Sequence, residues 1–131
     1  MAALLGELGY ALPPPAAAAR LARPGERVLV AVVDGRVAGL VALTVGWQLP
    51  HQGPMARITA LVVGAWARGR GVGGALLARA EALAATEGCE GVELTSALMP
   101  ERAAAHRLYE ARGYERTSAR FWRPLPAALP E

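Results

Sequence analysis

Lysine and asparagine are absent from this 131-residue chain, and cysteine occurs once, at Cys89. One thiol excludes an intrachain disulfide and a cysteine-rich zinc site, so no metal is expected, and it suits a reducing compartment. Without lysine, a nucleotide P-loop ending in Gly-Lys-Ser/Thr is excluded. No apolar run approaches the ~18 residues that cross a bilayer. Glu7 interrupts the apolar start and the first basic residue is Arg20, so the charged opening of a signal peptide is missing. These absences predict a cytoplasmic protein with no membrane partner. The net charge is +3 and all fourteen basic residues are arginine, with no basic run and no basic-aromatic ladder. That charge suits a small anionic ligand at least as well as nucleic acid, and no nucleic-acid partner is expected.

What is present is enough for one core. At 53% hydrophobic and 19% charged, residues 1–131 fit a single globular domain, with a proline-rich surface tail at 124–131. Leu4, Leu5 and Leu8 have helical spacing, prolines 13–15 interrupt, and the alanine-rich 16–22 can restart a helix. Two apolar runs, 28–33 and 36–43, flank Asp34-Gly35, the signature of an antiparallel hairpin with a tight turn. Residues 46–56 read as a loop. Strands follow at 58–63 and 92–96, with a helix of about fifteen residues between them that buries Val72, Leu76, Ala80, Leu83 and Ala84 and stops at Gly88. A second helix spans 100–112 and ends at Gly113, and one or two closing strands are expected over 114–123. The class is α/β, a mixed sheet with flanking helices in which the two strands joined by a helix are parallel.

The stretch 68–77, Arg-Gly-Arg-Gly-Val-Gly-Gly-Ala-Leu-Leu, carries four glycines in six positions at the start of that helix. A helix N-terminus presents unpaired N–H groups and the positive end of a dipole, and glycines let an anion reach them. Arg68 and Arg70 add charged donors at the same mouth. The stretch therefore reads as a phosphate or pyrophosphate cradle. The plainer alternative is that Gly73 and Gly74 serve close helix packing. Gly69, Gly71 and Gly74 also spell a dinucleotide-binding G-x-G-x-x-G with Glu90 about twenty residues on. The preceding hairpin and the small number of strands argue against that frame.

The frame Arg68-Gly-Arg-Gly71-Val-Gly73 is an R-x-x-G-x-G motif, and with Ala105-His-Arg-Leu-Tyr-Glu-Ala-Arg-Gly-Tyr114 the chain resembles the GNAT superfamily of N-acetyltransferases over roughly 28–123. The resemblance implies a GNAT-like fold, an antiparallel hairpin followed by a splayed parallel strand pair, here lacking the family's first strand. It implies acetyl-coenzyme A as co-substrate and a small-molecule or peptide amine as acceptor. The backbone of Val62 and Val63 would meet the pantetheine arm. The N–H groups of Gly69, Arg70, Gly71, Val72, Gly73 and Gly74 would hold the pyrophosphate, with Arg68 beside them. Tyr109 would protonate the departing thiolate. A phenol with pKa near ~10 suits that role because an alkyl thiol ionises near ~8.5. A tyrosine that only packs the helix is the alternative.

The pattern is not complete. Arg102 stands where many relatives have asparagine, and from there it could reach a phosphate. Thr59 and Ala60 stand where a base carboxylate often sits, which leaves Glu93 as the best candidate base, with an ordinary arginine-paired strand carboxylate as the other reading. His51 and His106 are expected at the surface and in packing, respectively. Without a first strand the edge at 28–33 is open, so a longer N-terminus or a homodimer is expected to cover it. Cys89 is poorly placed as a nucleophile, so direct transfer in a ternary complex is expected. The rival is an acyl-coenzyme A binding regulatory or interaction module without catalysis.

Overall fold

The computed structural model describes residues 25–47, 49, 51–95 and 102–127. The expected helices at 2–8 and 16–22, and the question of a first strand, lie outside these residues. Four strands, β1 (Glu26–Val33), β2 (Arg36–Gly46), β3 (Met55–Val63) and β4 (Val92–Leu94), form one sheet in the order β1-β2-β3-β4. The first three run antiparallel, and β4 is parallel to β3. Helix α1 (Val72–Thr86) makes the crossover and α2 (Ala103–Ala111) follows β4. This is the mixed α/β architecture read from the sequence.

Local chemistry places these elements. Asp34 and Gly35 both have positive φ, 52° and 74°, the paired left-handed conformation of a two-residue hairpin turn whose twist matches its strands. Both helices end on a left-handed glycine with the same hydrogen-bond pattern. In α1 the N–H of Gly88 donates to Ala85 and that of Cys89 to Ala84; in α2 the N–H of Gly113 donates to Glu110 and that of Tyr114 to Tyr109. These bonds satisfy carbonyls that a helix end would orphan. They also fix Tyr114 against Tyr109.

One face of the sheet packs on α1 and α2. Val41, Leu43, Ala56 and Ile58 from the strands meet Leu76, Leu77, Ala80 and Ala84 from α1 and Tyr109 from α2 in one buried cluster. Leu40 and Val62 are buried on the opposite face. Gly39 lets α1 approach closely, since a Cβ there would lie 2.7 Å from the Val62 carbonyl and 3.1 Å from a Leu76 methyl.

Two expectations change. Strand β4 pairs over only three residues, and 114–123 forms no strand: residues 115–127 are all exposed, Phe121 at 94%. A strand exists only where a partner satisfies its backbone, and no pairing of this segment with β4 is found among the described residues. The 47–54 connection leaves β2 at Gly46 and enters β3 at Met55, so it sits at the end of the sheet away from Val63, roughly 25 Å along the strand at the usual rise. Glu90 holds it there by accepting from the N–H groups of Gln52 (2.7 Å) and Gly53 (2.8 Å). The loop and His51 therefore lie at the opposite end of β3 from the glycine stretch.

Candidate active site

Strands β3 and β4 pair only from Ala56↔Val92 to Ile58↔Leu94, and beyond Ile58 no pairing between them is described. Among the described residues this leaves a gap beside β3, and which backbone groups face it is decided by one extra residue. Ile58 stands opposite Leu43 and Ala60 opposite Ala42, leaving Thr59 as a bulge. Before the bulge, the N–H of Ala56 points to β4, where it donates to Gly91 (3.1 Å). After it, the parity has switched. The N–H of Gly64 donates to Ala38 on β2 (2.7 Å), so by alternation Val62 also faces β2, while Leu61 and Val63 face the gap. Of the two valines singled out in the sequence, the geometry brings Val63 to the gap and turns Val62 away; Leu61 takes its place.

The chain leaves β3 through the short helical turn Ala65–Ala67 and reaches Gly69 and Gly71, with φ of 80° and 77°, and nothing lies within 4 Å of where a Cβ would stand on either. Gly71 is the N-cap of α1, and the first helical bond is from Ala75 to Gly71 (3.1 Å). Among the described residues no backbone acceptor takes the N–H groups of residues 69 to 74. Arg68 and Arg70 are exposed beside them. The open donors, the dipole and the two guanidiniums fit a pyrophosphate. Gly73 also serves packing. A Cβ there would meet a Leu108 methyl at 3.1 Å and a Val63 methyl at 3.7 Å, so its bare Cα lets α1 and α2 close. Val72 is buried at the same helix start.

The structure adds two residues that sequence patterns did not select. The Arg36 guanidinium lies 4.4 Å from the Trp66 ring centroid and that of Arg70 lies 5.8 Å from it. The hairpin register contains this signal, because extending the β2–β3 pairing past Gly39↔Val63 sets Arg36 opposite Trp66.

Tyr109 is buried at 8% exposure, and its ring centroid is 6.2 Å from that of Tyr114. Burial raises the pKa of the Tyr109 phenol, while the Arg102 guanidinium beside it works in the opposite direction. Arg102, the N-cap of α2, is thus tied to Tyr109. The Tyr114 hydroxyl is buried without a hydrogen-bond partner; Glu81 faces it without closing a bond, and burial and that carboxylate both raise its pKa. Cys89 packs at the edge of the core, where burial raises its thiol pKa.

Glu93 is not brought to Tyr109. Its neighbours Val92 and Leu94 pack into the cluster that contains Tyr109, so alternation turns Glu93 to the other face. There it accepts from Arg57 Nη1 at 3.0 Å, one rung before the gap. Glu93 is thus paired with an arginine on the face away from Tyr109. His51 pairs with Glu90 (3.2 Å) at the far end of the sheet, and His106 on α2 contacts Arg116 (3.4 Å). No group of three or more metal-ligating side chains occurs among the described residues.

The chain matches the family model of the acetyltransferase (GNAT) family over residues 4–114. It is 34% identical over 122 residues to an aminoalkylphosphonate N-acetyltransferase of Salmonella typhimurium, covering 93% of this chain and 78% of that one. A Trypanosoma brucei acetyltransferase superposes with TM-score 0.76 at 25% identity, over 93% of this chain and 88% of that one. A proposed acetyltransferase of Agrobacterium tumefaciens str. C58 superposes with TM-score 0.80 at 26% identity, over 95% and 90%. The chain belongs to the GNAT acetyltransferase family. It is an N-acetyltransferase that moves an acetyl group to an amine, and the family's co-substrate is acetyl-coenzyme A.

Proposed function

We propose that this chain acetylates a small primary amine by direct transfer within a ternary complex, with residues 69 to 74 and Arg68 holding the coenzyme pyrophosphate and Tyr109 acting as general acid. The carrying observation is the run of N–H groups at residues 69 to 74 without a backbone acceptor among the described residues, with open space at Gly69 and Gly71 and arginines beside them. Acetyl-coenzyme A supplies an activated thioester when bound. The N–H of Leu61 or Val63, aimed into the strand gap, is the donor for the carbonyl oxygen that gains charge. The amine nitrogen forms the new bond to the acetyl carbon, the carbon–sulfur bond breaks, and the Tyr109 hydroxyl gives its proton to sulfur while the amine's proton leaves to solvent. Arg102 offers a charge to the phenol and, at the α2 N-terminus, to a phosphate. A covalent cysteine route is disfavoured by the partly buried Cys89 thiol, whose pKa is raised.

The acceptor in this reading carries an anionic group near its amine, as an aminoalkylphosphonate does. The support is the 34% identical relative and a chain whose cations are all arginine, the side chain that binds phosphonate-like oxygens in pairs. The reading includes a cytoplasmic location, supported by the free Cys89, and a homodimer, supported by β1 pairing only with β2 among the described residues. A calorimetric titration with acetyl-coenzyme A, followed by a thiol-release assay with aminoalkylphosphonates and with amines of equal length lacking the phosphonate, tests it. Binding without turnover on any amine would leave a coenzyme-binding module, and equal rates with and without phosphonate would remove the acceptor assignment.

A further inference from the structure

We propose that Arg57 binds the anionic group of the acceptor and that Glu93 is the positioning residue that holds its guanidinium. This rests on the reading that the acceptor carries an anion near its amine. The direction of approach limits where such an acceptor stands. On the face of the sheet that carries α1 and α2, Leu61, Val63, Leu94, Leu108 and Tyr109 pack into one cluster beside the strand gap. An amine therefore reaches the gap from the opposite face. Arg57 and Glu93 stand there, facing each other one rung before the last that joins β3 to β4.

The form of their contact differs from that of the other pairs that tie elements together. Arg27 closes on Glu87 through Nε (3.1 Å) and Nη2 (2.8 Å), and Arg112 closes on Glu81 through the same two nitrogens. Each commits its guanidinium fork to one carboxylate. Arg57 donates to Glu93 from Nη1 alone, at 3.0 Å, and no other hydrogen bond of its side chain is found among the described residues. The Nε–Nη2 edge, which the other two arginines use, is left for a second oxyanion. Its parallel N–H groups match two oxygens of a phosphonate or a carboxylate. The side chains are 41% and 37% exposed, so a ligand reaches them, and a pair this exposed does little for stability.

The reach suits a short acceptor. Arg57 precedes Leu61 by four residues, roughly 13 Å at the usual rise. Contacts of about 3 Å at the anion, and of about 3 to 3.5 Å between amine and acetyl carbon, leave room for an anion and an amine a few bonds apart. Glu93 repels an anion, but its charge is offset by Arg57 itself. On the same face Glu26 is two strands away, roughly 10 Å, with Thr44 between it and Arg57.

Thiol release by the full chain with 2-aminoethylphosphonate and with propylamine tests the assignment. The wild-type chain is expected to prefer the phosphonate in kcat/KM. Arg57→Ala is expected to cut that preference by on the order of 100-fold, through the KM for the phosphonate, while far-ultraviolet circular dichroism and acetyl-coenzyme A binding stay as in the wild type. Arg57→Lys keeps the charge without the fork and is expected to restore about 10-fold of the loss. Glu93→Ala is expected to raise the same KM about 10-fold, and Glu93→Gln, which keeps an oxygen for Nη1, to recover most of it. A kcat that falls equally for both amines in Glu93→Gln would make Glu93 a base and overturn its positioning role. A wild-type preference untouched by Arg57→Ala and Arg57→Lys would overturn the Arg57 assignment and leave the anionic acceptor standing. A wild type without that preference would remove the anionic acceptor and this proposal with it.

Discussion

Arg102, at the N-cap of α2, presents its guanidinium to the phenol of Tyr109 two helical turns further on, and it opposes the pKa rise that burial imposes on that phenol. A buried tyrosine holds its proton firmly, which suits a donor only if the proton can still leave. The cation beside it makes the phenolate less costly. The position that departs from the family's usual asparagine is therefore part of the proposed acid.

Two variants separate these roles. Tyr109→Phe keeps the ring in the core and deletes the proton, so kcat is expected to fall by on the order of 100-fold with the KM for acetyl-coenzyme A little changed. Arg102→Ala removes the influence that lowers the Tyr109 pKa, so the alkaline limb of the kcat profile is expected to move to higher pH. An alkaline limb unmoved by Arg102→Ala would show that Tyr109 does not report on it.

Two buried phenols also couple stability to pH. Tyr109 and Tyr114 both have raised pKa values in the folded chain. Their contribution is fully present below the unfolded value near ~10 and is lost as pH rises through the folded values. Urea midpoints are expected to fall steeply on the alkaline side. Tyr114→Phe is expected to flatten that fall and, because the hydroxyl it removes is buried without a hydrogen-bond partner, to raise stability at neutral pH by about 1 kcal/mol. A Tyr114→Phe chain less stable than the wild type would mean that the hydroxyl has a partner.

The acid side has the opposite sign. Glu81 accepts from Arg112 through both carboxylate oxygens, 2.5 and 3.3 Å, and this bond is the main reason its pKa is lowered, against a smaller rise from burial. The stability it contributes is present above the ordinary carboxylate value and is lost as pH falls through the lowered one. Glu81→Gln is expected to abolish this dependence with little effect at pH 7, since the pair is partly exposed and such pairs are worth about 1 kcal/mol or less. Equal loss of stability at both pH values would show a packing effect instead.

Much of the fold was legible because punctuation residues carry their geometry with them. Asp34-Gly35 dictated the hairpin, and the glycine run, Gly88 and Gly113 marked where helices begin and end. What was not legible depends on register. The bulge at Thr59 leaves no mark in composition, yet it decides that Leu61 and Val63, and not Val62, turn their backbone to the strand gap. Glu93 reads as an available carboxylate until the β3–β4 pairing sets it opposite Arg57. The segment 114–123 reads as one or two closing strands, but its sequence says nothing about where a partner strand lies.

The glycines offer the last prediction, because the same residue type serves two different ends. Gly39 is excluded from gaining a side chain by backbone: a Cβ would stand 2.7 Å from the Val62 carbonyl, and neither strand can move without disturbing the ladder. Gly39→Ala is expected to cost about 2 kcal/mol of stability, within the usual range for overpacking a core. Gly71 has open space around it and a φ of 77°, so Gly71→Ala is strained by about 1 kcal/mol through conformation alone. Neither substitution tests the cradle cleanly. Arg68→Glu with Arg70→Glu does, because both side chains are exposed and reversing them is expected to leave the urea midpoint nearly unchanged. The same double variant is expected to weaken acetyl-coenzyme A binding by at least ~100-fold, the loss of two charge-assisted contacts to phosphate. Undiminished binding would move the pyrophosphate away from the start of α1 and leave these glycines to turn geometry and packing alone.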